Sequence, residues 1–436
     1  MISQERQLLI FMRYPELGKV KSRLAGGIGD QEALRLHTLL ARRTLGIAYD
    51  FKRLHSDVSV FLVVEPPRCT DDLARTFPGP WGTDGQSGEH LGERMAHAIR
   101  RAFDRGGREV VLIGSDIADV QMADLVAAFE RLRDETAVLG PAQDGGFYLI
   151  GLGRFAREPF QPVEWGTGTV FERTAALLRQ AGLRVETLDV RRDVDRPTDV
   201  GWMLREPLFR ESLSVIVPTL KDPSIMVPRL RSLKVRMWPD DELVVVHGVE
   251  DGAWTIQEIE PRIRAVTAPR GRGLQLNHGA RCASGSILLF LHDDTELPDQ
   301  FPYLVRRTVQ EAGMALGCFT LSFVPSTSAL DLIARWANAR SRLFRLPYGD
   351  QALFCRREVF DRVGGFRRRY LMEDVEFVRA CRAHGALRML EERVMTSADR
   401  YLKRGVLRNS LQNHVTMLLY GLGMDEKRLY RWYYRR

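Results

Sequence analysis

The stretch that decides the fold is Ser286-Ile-Leu-Leu-Phe-Leu-His-Asp-Asp-Thr-Glu-Leu-Pro298. Its apolar run, Ile287 to Leu291, is too short for a helix and predicts a buried strand. Asp293 and Asp294 follow, and carboxylates at a strand end face the crevice in which open α/β sheets bind ligands. Adjacent acids there can hold a hard divalent cation and leave positions for diphosphate oxygens. A strand that runs into a polar turn would look the same, so the surrounding sequence decides between the two interpretations.

Length and composition indicate a globular protein with two domains. The 436 residues exceed one ordinary core, and 44% are hydrophobic and 28% charged. We expect domains at residues 1–205 and 213–436, with a linker at 206–212. No stretch has the apolar length of a membrane span, and residues 1–8 are polar where a signal peptide needs an apolar core, so a cytoplasmic protein is expected. Five scattered cysteines argue against a disulfide framework or a zinc site.

The formal net charge of +8 is concentrated at one end of the chain. Residues 403–436 contain eight lysines and arginines against two acids. Such a tail can attract phosphates or an anionic membrane, and a solvated helix face is an equally good interpretation. The segment 330–346 is amphipathic, with Trp336 and Phe344 among arginines. We favour an acceptor-side lid or core packing for it; the alternative is a peripheral membrane contact shared with the tail. No nucleic-acid partner is expected, and the oligomeric state is left open.

The first half begins as a strand followed by a basic loop. Gln7 to Met12 predicts a buried strand, and the loop after it carries Lys21 and Arg23 before a helix at about Asp30 to Phe51. Backbone amides and cations gather round phosphate groups in this arrangement. A lysine-rich surface loop has similar spacing, so the pattern alone is a weak indication.

Later apolar runs of this half also end in polar groups. Val58 to Val64 predicts a second strand, and Glu109 to Asp116 predicts a third that again ends in an acid. A helix is predicted at about Met122 to Arg133, and a strand at Val185 to Val190. Between these two, Asp144-Gly145-Gly146 is a tight turn at which a backbone can come close to a ligand.

Several motifs of this half match one family as a set. They are Tyr14-Pro15, Gly18-Lys19-Val20-Lys21-Ser22-Arg23-Leu24, Gly114-Ser115-Asp116, Asp144-Gly145-Gly146-Phe147-Tyr148, Trp165-Gly166-Thr167 and Asp193-Val194-Asp195. Residues 7 to 203 thereby resemble GT-A-like transferase domains of the radical-SAM-associated and arsenosugar-biosynthesis type, relatives of the molybdenum-cofactor and phospholactate guanylyltransferases. The resemblance implies a metal at Asp116 and Asp195 and nucleotide contacts at Lys21, Arg23, Asp144 and Gly145.

The second half restarts a strand-helix-strand series. Leu213 to Thr219 predicts a new first strand, and Pro218 near its end lets the chain leave the sheet. Glu242 to His247 predicts the second strand. A basic Gly-rich turn with Arg270 and Arg272 then opens a helix, and these guanidinium groups could neutralise a diphosphate, although a Gly-Arg turn is usually only a turn. Because each half places an acid after a later buried strand, we expect two copies of one α/β architecture.

Two further motifs with acids lie later in the chain. Gly349-Asp350-Gln351 precedes Glu373-Asp374, which stands at the start of a helix predicted from about Glu373 to His384. Acids in this position are also routine helix caps, so this pair alone favours a cap.

The ordered motifs of the second half again match one family. They are Ser214-Val-Ile-Val-Pro-Thr219, Gln275-Leu-Asn277-His-Gly279-Ala280, Leu289-Phe-Leu-His-Asp-Asp-Thr295, Gly349-Asp-Gln351, Gly364-Gly-Phe366, Met372-Glu-Asp-Val-Glu-Phe377 and Arg404-Gly-Val-Leu-Arg408. Residues 213 to 436 resemble family-two inverting glycosyltransferases, and closely the arsenosugar-biosynthesis subgroup. The family's Asp-Gly-Gly-Ser-x-Asp turn reads His247-Gly-Val-Glu-Asp251 here, which keeps only the second acid.

The resemblance implies two tandem GT-A, Rossmann-like domains and a role for each matching residue. Asp294 holds a Mg²⁺ or Mn²⁺ ion, and Asp374 acts as the general base that takes the acceptor proton. At the catalytic pair's other position, Glu373 orients the acceptor together with Asp350 and Gln351. The nucleotide part of the donor is met by Pro218, Thr219, Asp251, Arg270, Arg272, Gln275, Asn277 and Asp293.

The leading hypothesis is a bifunctional, metal-dependent enzyme. The second half moves a sugar from a nucleotide sugar to a small-molecule acceptor hydroxyl, and the first half is a second nucleotide-binding transferase domain. One alternative makes nucleotidyl transfer from an NTP the activity of the first half, which then supplies an activated donor. Another makes the first half a degenerate, non-catalytic binding module.

Overall fold

The computed structural model describes residues 5–160, 168–249, 263–369 and 371–434. The chain divides into two compact units, Met1–Arg210 and Glu211–Arg436. Each unit is an α/β structure built on one mixed sheet. Across the described ranges, no helix combines the length and the apolar character needed to cross a bilayer.

The first unit is organised around a strand whose interior residues are all buried. Its described strands are β1 (Arg6–Arg13), β2 (Val58–Glu65), β3 (Gly82–Gly85), β4 (Glu109–Gly114), β5 (Thr136–Pro141), β6 (Phe147–Leu152) and β7 (Arg184–Thr187). Its described helices are α1 (Ser22–Ile28), α2 (Asp30–Leu54), α3 (Thr70–Thr76), α4 (Leu91–Asp104), α5 (Met122–Arg131), α6 (Val170–Gln180), α7 (Pro197–Met203) and α8 (Pro207–Arg210). The sheet order is β3-β2-β1-β4-β6-β5-β7. Strand β1 therefore lies between β2 and the acid-bearing β4, parallel to both.

The second unit repeats this plan with longer strands at one edge. Its described strands are β8 (Leu213–Thr219), β9 (Glu242–Val249), β10 (Arg264–Pro269), β11 (Ile287–Phe290), β12 (Thr295–Glu296), β13 (Met314–Val324), β14 (Leu353–Arg356) and β15 (Ala386–Ser397). Its described helices are α9 (Pro223–Arg236), α10 (Arg272–Cys282), α11 (Phe301–Val309), α12 (Ser328–Phe344), α13 (Arg357–Val363), α14 (Glu373–Arg382), α15 (Asp399–Arg404), α16 (Val406–Gly421) and α17 (Glu426–Tyr434). The sheet order is β10-β9-β8-β11-β14-β13-β15-β12.

The two sheets follow the same path. In each, four parallel strands are followed by an antiparallel one, β6 or β14, and then by a parallel pair, β5 with β7 or β13 with β15. The short strand β12, which pairs with β15, is the addition in the second unit. The expected fold class, two tandem Rossmann-like α/β domains, is confirmed.

Apolar packing fixes the strand that carries the Asp293-Asp294 pair. All four residues of β11 are buried. Phe290 meets the rings of Phe366 and Phe377 edge-on at centroid distances of 4.9 and 5.8 Å, an arrangement that aromatic rings prefer. Three residues beyond this anchored ring the chain reaches Asp293, so the acids leave the sheet from a rigid base.

Most predicted elements are found within a few residues of their expected bounds. The apolar runs at residues 7–12, 213–219 and 287–291 are β1, β8 and β11, and the helix expected from residue 373 is α14. Helix α1 begins within the stretch interpreted as a basic loop, and β3 lies in a stretch for which no element was predicted. The expected linker at 206–212 contains the one-turn helix α8.

Candidate functional site

Asp293 is held at the end of β11 by the neighbouring strand. Because β8 and β11 are parallel neighbours, the last residue of β8, Thr219, lies beside it and donates its hydroxyl to Asp293 Oδ2 at 2.7 Å. Lys221 Nζ lies 3.0 Å from Asp293 Oδ1. The carboxylate is therefore both oriented and neutralised by the loop that follows β8.

Asp294 is half-buried, and its carboxylate accepts fewer hydrogen bonds than that of Asp293. Its carboxylate accepts the Thr295 hydroxyl at 3.3 Å, and its backbone oxygen accepts the Ser397 N–H at 3.0 Å. The described residues contain no group of three or more metal-ligating side chains. A Mg²⁺ or Mn²⁺ ion that is shared with substrate phosphates and water needs only one or two carboxylates. Asp294 fits that use.

Asp374 stands in the first turn of α14. Its Oδ2 accepts the Gly349 N–H at 2.8 Å, and its Oδ1 accepts the Val375 N–H at 2.9 Å. Glycine is required at 349, because an added Cβ would lie 2.7 Å from His292 Nε2. The same Cβ would lie 3.4 Å from Asp374 Oδ2. His292, Gly349 and Asp374 therefore converge, and His292 is the residue directly before the Asp293-Asp294 pair.

The pKa of Asp350 is affected by the charges of two other acids, Asp374 and Asp294. Burial raises the pKa of Asp350 to about 6, Arg340 and Arg272 oppose the rise, and the charges of Asp374 and Asp294 add to it. Asp294 and Asp374 therefore lie close enough to Asp350 for their charges to act on it. Carboxylates of this kind suit an acceptor hydroxyl on one side and a cation on the other.

Arg272 contacts two residues of this site, Glu373 and His292. Its Nε pairs with Glu373 Oε1, and its Nη1 lies 3.4 Å from His292 Nε2. Burial raises the pKa of Glu373, and Arg272 opposes that rise. Burial, with Arg272 and Arg400, holds the pKa of His292 well below its usual range, so the imidazole is neutral at pH 7. Glu373 thus holds Arg272 in place, and its orientation of the acceptor stays a prediction.

The side-chain amides of two predicted ligands, Gln275 and Asn277, form hydrogen bonds with backbone groups of the protein. Gln275 Nε2 donates to the Thr219 and Val246 carbonyl oxygens at 3.0 and 2.9 Å, which ties two strand ends together. Asn277 brackets the backbone of Phe366, donating to its oxygen at 2.6 Å and accepting from its N–H at 2.8 Å. Gln275 therefore fixes two strand ends, and Asn277 fixes the backbone at Phe366.

Gln351 has no solvent exposure. Its Oε1 accepts the Ser341 hydroxyl at 2.7 Å, and its Nε2 donates to the Phe319 oxygen at 3.0 Å. Its role is therefore to fix the turn that carries Asp350. Of the other predicted ligands, Pro218 is buried in β8, Arg270 is exposed before α10, and Asp251 lies outside the described residues.

In the first unit, a lysine occupies the space between the predicted metal ligands. Lys21 Nζ lies 3.0 Å from Asp116 Oδ2 and 2.7 Å from Asp195 Oδ1, and its side chain is 8% exposed. Burial would lower the pKa of Lys21, but the two carboxylates hold it above its usual value. Lys21 in turn holds the pKa of Asp116 below its usual value. A metal at Asp116 and Asp195 would have to displace this ammonium group.

Two further acids, Asp193 and Asp144, lie near the acids that Lys21 contacts. Burial raises the pKa of Asp193 to about 6, and Asp144 and Asp195 add to the rise. Asp144 caps its own turn by accepting the Gly146 N–H at 2.8 Å. Gly145 has φ +87°, and an added Cβ would lie 2.4 Å from the Gly168 oxygen, so this turn needs glycine. Arg23 is exposed on α1.

Sequence reasoning missed three residues of these sites, Lys221, His292 and Asp193. Each stands within two positions of a residue that was identified, Thr219, Asp293 or Asp195. Proximity to a motif was the available signal. Contact across the fold was not visible in the sequence.

One segment in each half of the chain matches a family model. Residues 52–167 match the family described as "Uncharacterized protein conserved in bacteria (DUF2064)", and residues 214–372 match "Glycosyl transferase family 2". The O-antigen biosynthesis protein RfbC of Myxococcus xanthus is 26% identical over 268 residues, which are 52% of this chain. The chain covers only 21% of that protein's length.

Two solved structures are also similar. A protein of Desulfovibrio desulfuricans G20, assigned as a nucleotide-diphospho-sugar transferase, is 34% identical over 46% of this chain and 88% of its own, with a TM-score of 0.42. The mannosyltransferase PcManGT of Pyrobaculum calidifontis, in complex with GDP-Man and Mn²⁺, is 19% identical over 50% of this chain and 66% of its own, with a TM-score of 0.39. By its 34% identity to the Desulfovibrio protein, of which it covers 88%, the chain belongs to the nucleotide-diphospho-sugar transferases, and residues 214–372 match the glycosyl transferase family 2 model.

Proposed function

We propose that the second unit moves a sugar from a nucleotide-sugar donor to an acceptor hydroxyl with inversion at the anomeric carbon. The observation that carries the proposal is that Asp374 and the strand end bearing Asp294 meet at Gly349, which donates its N–H to Asp374 and lies against His292, two residues before Asp294. One acid is thereby available to a cation and another to a proton, as an inverting displacement requires.

The donor diphosphate lies, in this proposal, between Asp294 and Arg272. When bound at Asp294, a Mg²⁺ or Mn²⁺ ion neutralises the charge that develops on the leaving diphosphate. Arg272 adds a fixed positive charge there, because Glu373 holds its guanidinium in place. Asp293, oriented by Thr219 and Lys221, takes the ribose or sugar hydroxyls.

Asp374 is the general base of the proposal. The Gly349 N–H and the Val375 N–H hold its two carboxylate oxygens in place at the start of α14. It takes the proton of the acceptor hydroxyl as that oxygen attacks opposite the diphosphate. Asp350 orients the acceptor from the neighbouring turn.

A transfer assay with a panel of nucleotide sugars and hydroxyl acceptors tests this function. Asp374→Asn is expected to abolish transfer while donor binding, followed by thermal shift, stays within a factor of about two, since one base accounts for about 10²- to 10⁴-fold in rate. Asp361→Asn, a change to an exposed acid on α13, is the matched control. Full turnover by Asp374→Asn would refute the assigned base. The resemblance to arsenosugar-biosynthesis enzymes adds arsenical acceptors to the panel.

For the first unit, the Lys21-Asp116-Asp195 cluster favours nucleotide phosphate chemistry. Its resemblance to guanylyltransferases leads to the proposal that it transfers a nucleotidyl group from an NTP to a sugar phosphate and so supplies a donor. The full-length Asp374→Asn variant, silent in glycosyl transfer, is expected to release pyrophosphate from an NTP plus a sugar phosphate. Asp116→Asn in the same background should stop the release. If no NTP is bound or turned over, the first unit is a non-catalytic module.

A further inference from the structure

The most exposed large apolar side chains of the described residues lie close together in the second unit. They are Leu343 (77% exposed), Leu422 (75%), Leu332 (68%) and Leu411 (66%). Two stand on α12, one on α16 and one directly after α16. Single exposed leucines are ordinary, but a group of them on two adjoining helices marks an interaction surface.

Their spacing places them on one face of each helix. On α12, Leu332, Trp336 and Leu343 are four and seven residues apart, which is helical spacing. On α16, Leu411 and Leu418 are seven residues apart, and Leu422 follows four residues later. We call these six residues the apolar face.

A hydrogen bond joins the two stripes of the apolar face. Trp336 Nε1 donates to His414 Nε2 at 2.8 Å, and His414 lies between Leu411 and Leu418 in the sequence. The His414 ring is itself held by the Ser410 carbonyl oxygen at 2.8 Å. The two stripes therefore meet at Trp336 and His414.

The rim of this face is basic. Arg335 and Arg342 are exposed on the outer side of α12, and Lys427, Arg428 and Arg431 are exposed on the adjoining α17. Helix α17 is fixed to α16, because Gln412 donates to the Tyr433 oxygen at 2.7 Å. Leucine and tryptophan within a basic rim suit the interface of an anionic membrane, where the apolar groups enter the headgroup region and the cations meet lipid phosphates.

The opposite side of α12 supports the acceptor turn. Asn338 Oδ1 accepts the Leu321 N–H at 2.8 Å, and Ser341 donates to Gln351 at 2.7 Å. The Arg340 guanidinium lies 3.6 Å from the centroid of the Tyr348 ring, a cation–π contact. One helix thus carries the apolar face outside and positions the turn of Asp350 inside.

We propose that the apolar face docks on an anionic membrane surface, which places the acceptor turn beside the bilayer and suits an acceptor hydroxyl carried by a lipid. The part concerning the acceptor rests on the proposed glycosyl transfer. The docking itself does not, because it follows from the apolar face and its basic rim.

Vesicle flotation of the full-length protein tests the docking. The protein is expected to float with vesicles of phosphatidylglycerol and phosphatidylcholine, to stay unbound with phosphatidylcholine alone, and to be released in part by high salt. The double variant L332E/L343E should lower the bound fraction by about tenfold, because it places two carboxylates against lipid. L17E/L54E, the same change at exposed leucines of the first unit, should bind as the wild type does.

Other outcomes overturn the proposal. Absence of the wild type from floated anionic vesicles would do so, as would unchanged flotation of L332E/L343E. A wild-type dimer in sedimentation velocity that L332E/L343E dissociates, with no flotation, would assign the face to a second copy of the chain. Thermal stabilisation of L332E/L343E by nucleotide sugars reports on the donor site separately, so loss of docking and failure of the proposed transfer give different results.

Discussion

Each unit places a lysine and a pair of acids at equivalent points of its own sheet, but the lysine contacts the acids differently in the two units. In the first unit, Lys21 from the loop after β1 bridges Asp116 and Asp195. In the second, Lys221 from the loop after β8 pairs with Asp293 and leaves the Asp294 carboxylate with the Thr295 hydroxyl as its partner among the described residues. The first site therefore already contains its cation, and the second presents an acid that is open to one.

This difference shows that fold and motif fix where charges gather but not whether the site is closed. Both acid-bearing strands, β4 and β11, lie beside the first strand of their unit. The units differ in whether the lysine contacts two acids, as Lys21 does, or one, as Lys221 does.

The largest effect is expected at the open site. Asp294→Ala removes the cation ligand at the leaving diphosphate and should lower glycosyl transfer by about 10³-fold or more, equivalent to about 4 kcal/mol of transition-state stabilisation. Asp116→Ala, the equivalent change at the closed site, should lower the same rate far less. The measurement is the initial rate of nucleotide-sugar consumption with Mn²⁺. Equal losses of transfer rate in Asp294→Ala and Asp116→Ala would contradict the difference between the open and the closed site.

Breaking the closed site should destabilise the protein. Lys21→Met leaves two carboxylates without their shared ammonium group and is expected to lower the free energy of unfolding by about 1–3 kcal/mol. Lys221→Met unpairs one partly exposed acid and should cost less than about 1 kcal/mol. Lys19→Met, an exposed neighbour, is the control and should stay within about 0.5 kcal/mol. Denaturant unfolding measures all three, and equal stability of the two site variants would contradict the account.

Each unit also holds one acid whose pKa is raised to about 6, Asp193 and Asp350. Between the ordinary value of 3.8 and about 6, the folded state binds the proton more tightly than the unfolded state, so stability falls as pH rises through this window. Asp193→Asn and Asp350→Asn remove that loss and should each stabilise the protein by about 1 kcal/mol at pH 8, after allowance for solvent screening. The gain should vanish near pH 4. Denaturant midpoints at both pH values measure it, and a gain that grows on acidification would reverse the assignment.

The smallest effect concerns the orientation of Asp293. Thr219→Val removes the 2.7 Å hydrogen bond to that carboxylate and should raise KM for the donor about fivefold, in line with the loss of one hydrogen bond. Thr267→Val, on the exposed side of β10, is the control. A lowered kcat with unchanged KM would place Thr219 in the chemical step instead.

The sequence predicted the framework well because its signal is local. The run Ile287–Leu291 is apolar, short and followed by acids, which is enough to predict a strand and the crevice at its end. The helix at Asp374 was equally predictable from its acidic first turn. Element bounds differ by a few residues, since helix and strand ends depend on neighbouring elements.

The sequence was a poor guide to the partners of the polar side chains. Gln275 and Asn277 stand in a motif but bind backbone groups, and a buried amide side chain gives no sign of which partner it will find. The pairing of Lys21 with Asp116 and Asp195 spans 95 and 174 residues, and no spacing rule reaches so far. His292 stands directly before the acids, but its contacts with Gly349 and Arg272 are distant in the sequence and could not be predicted from it.

The most direct test of the central contrast is a Mn²⁺ titration followed by electron paramagnetic resonance, with GDP or UDP present. The account predicts that the Mn²⁺ bound together with the nucleoside diphosphate is lost in Asp294→Asn and retained in Asp116→Asn. Retention in Asp294→Asn with loss in Asp116→Asn would show that the open and closed sites have been assigned to the wrong units.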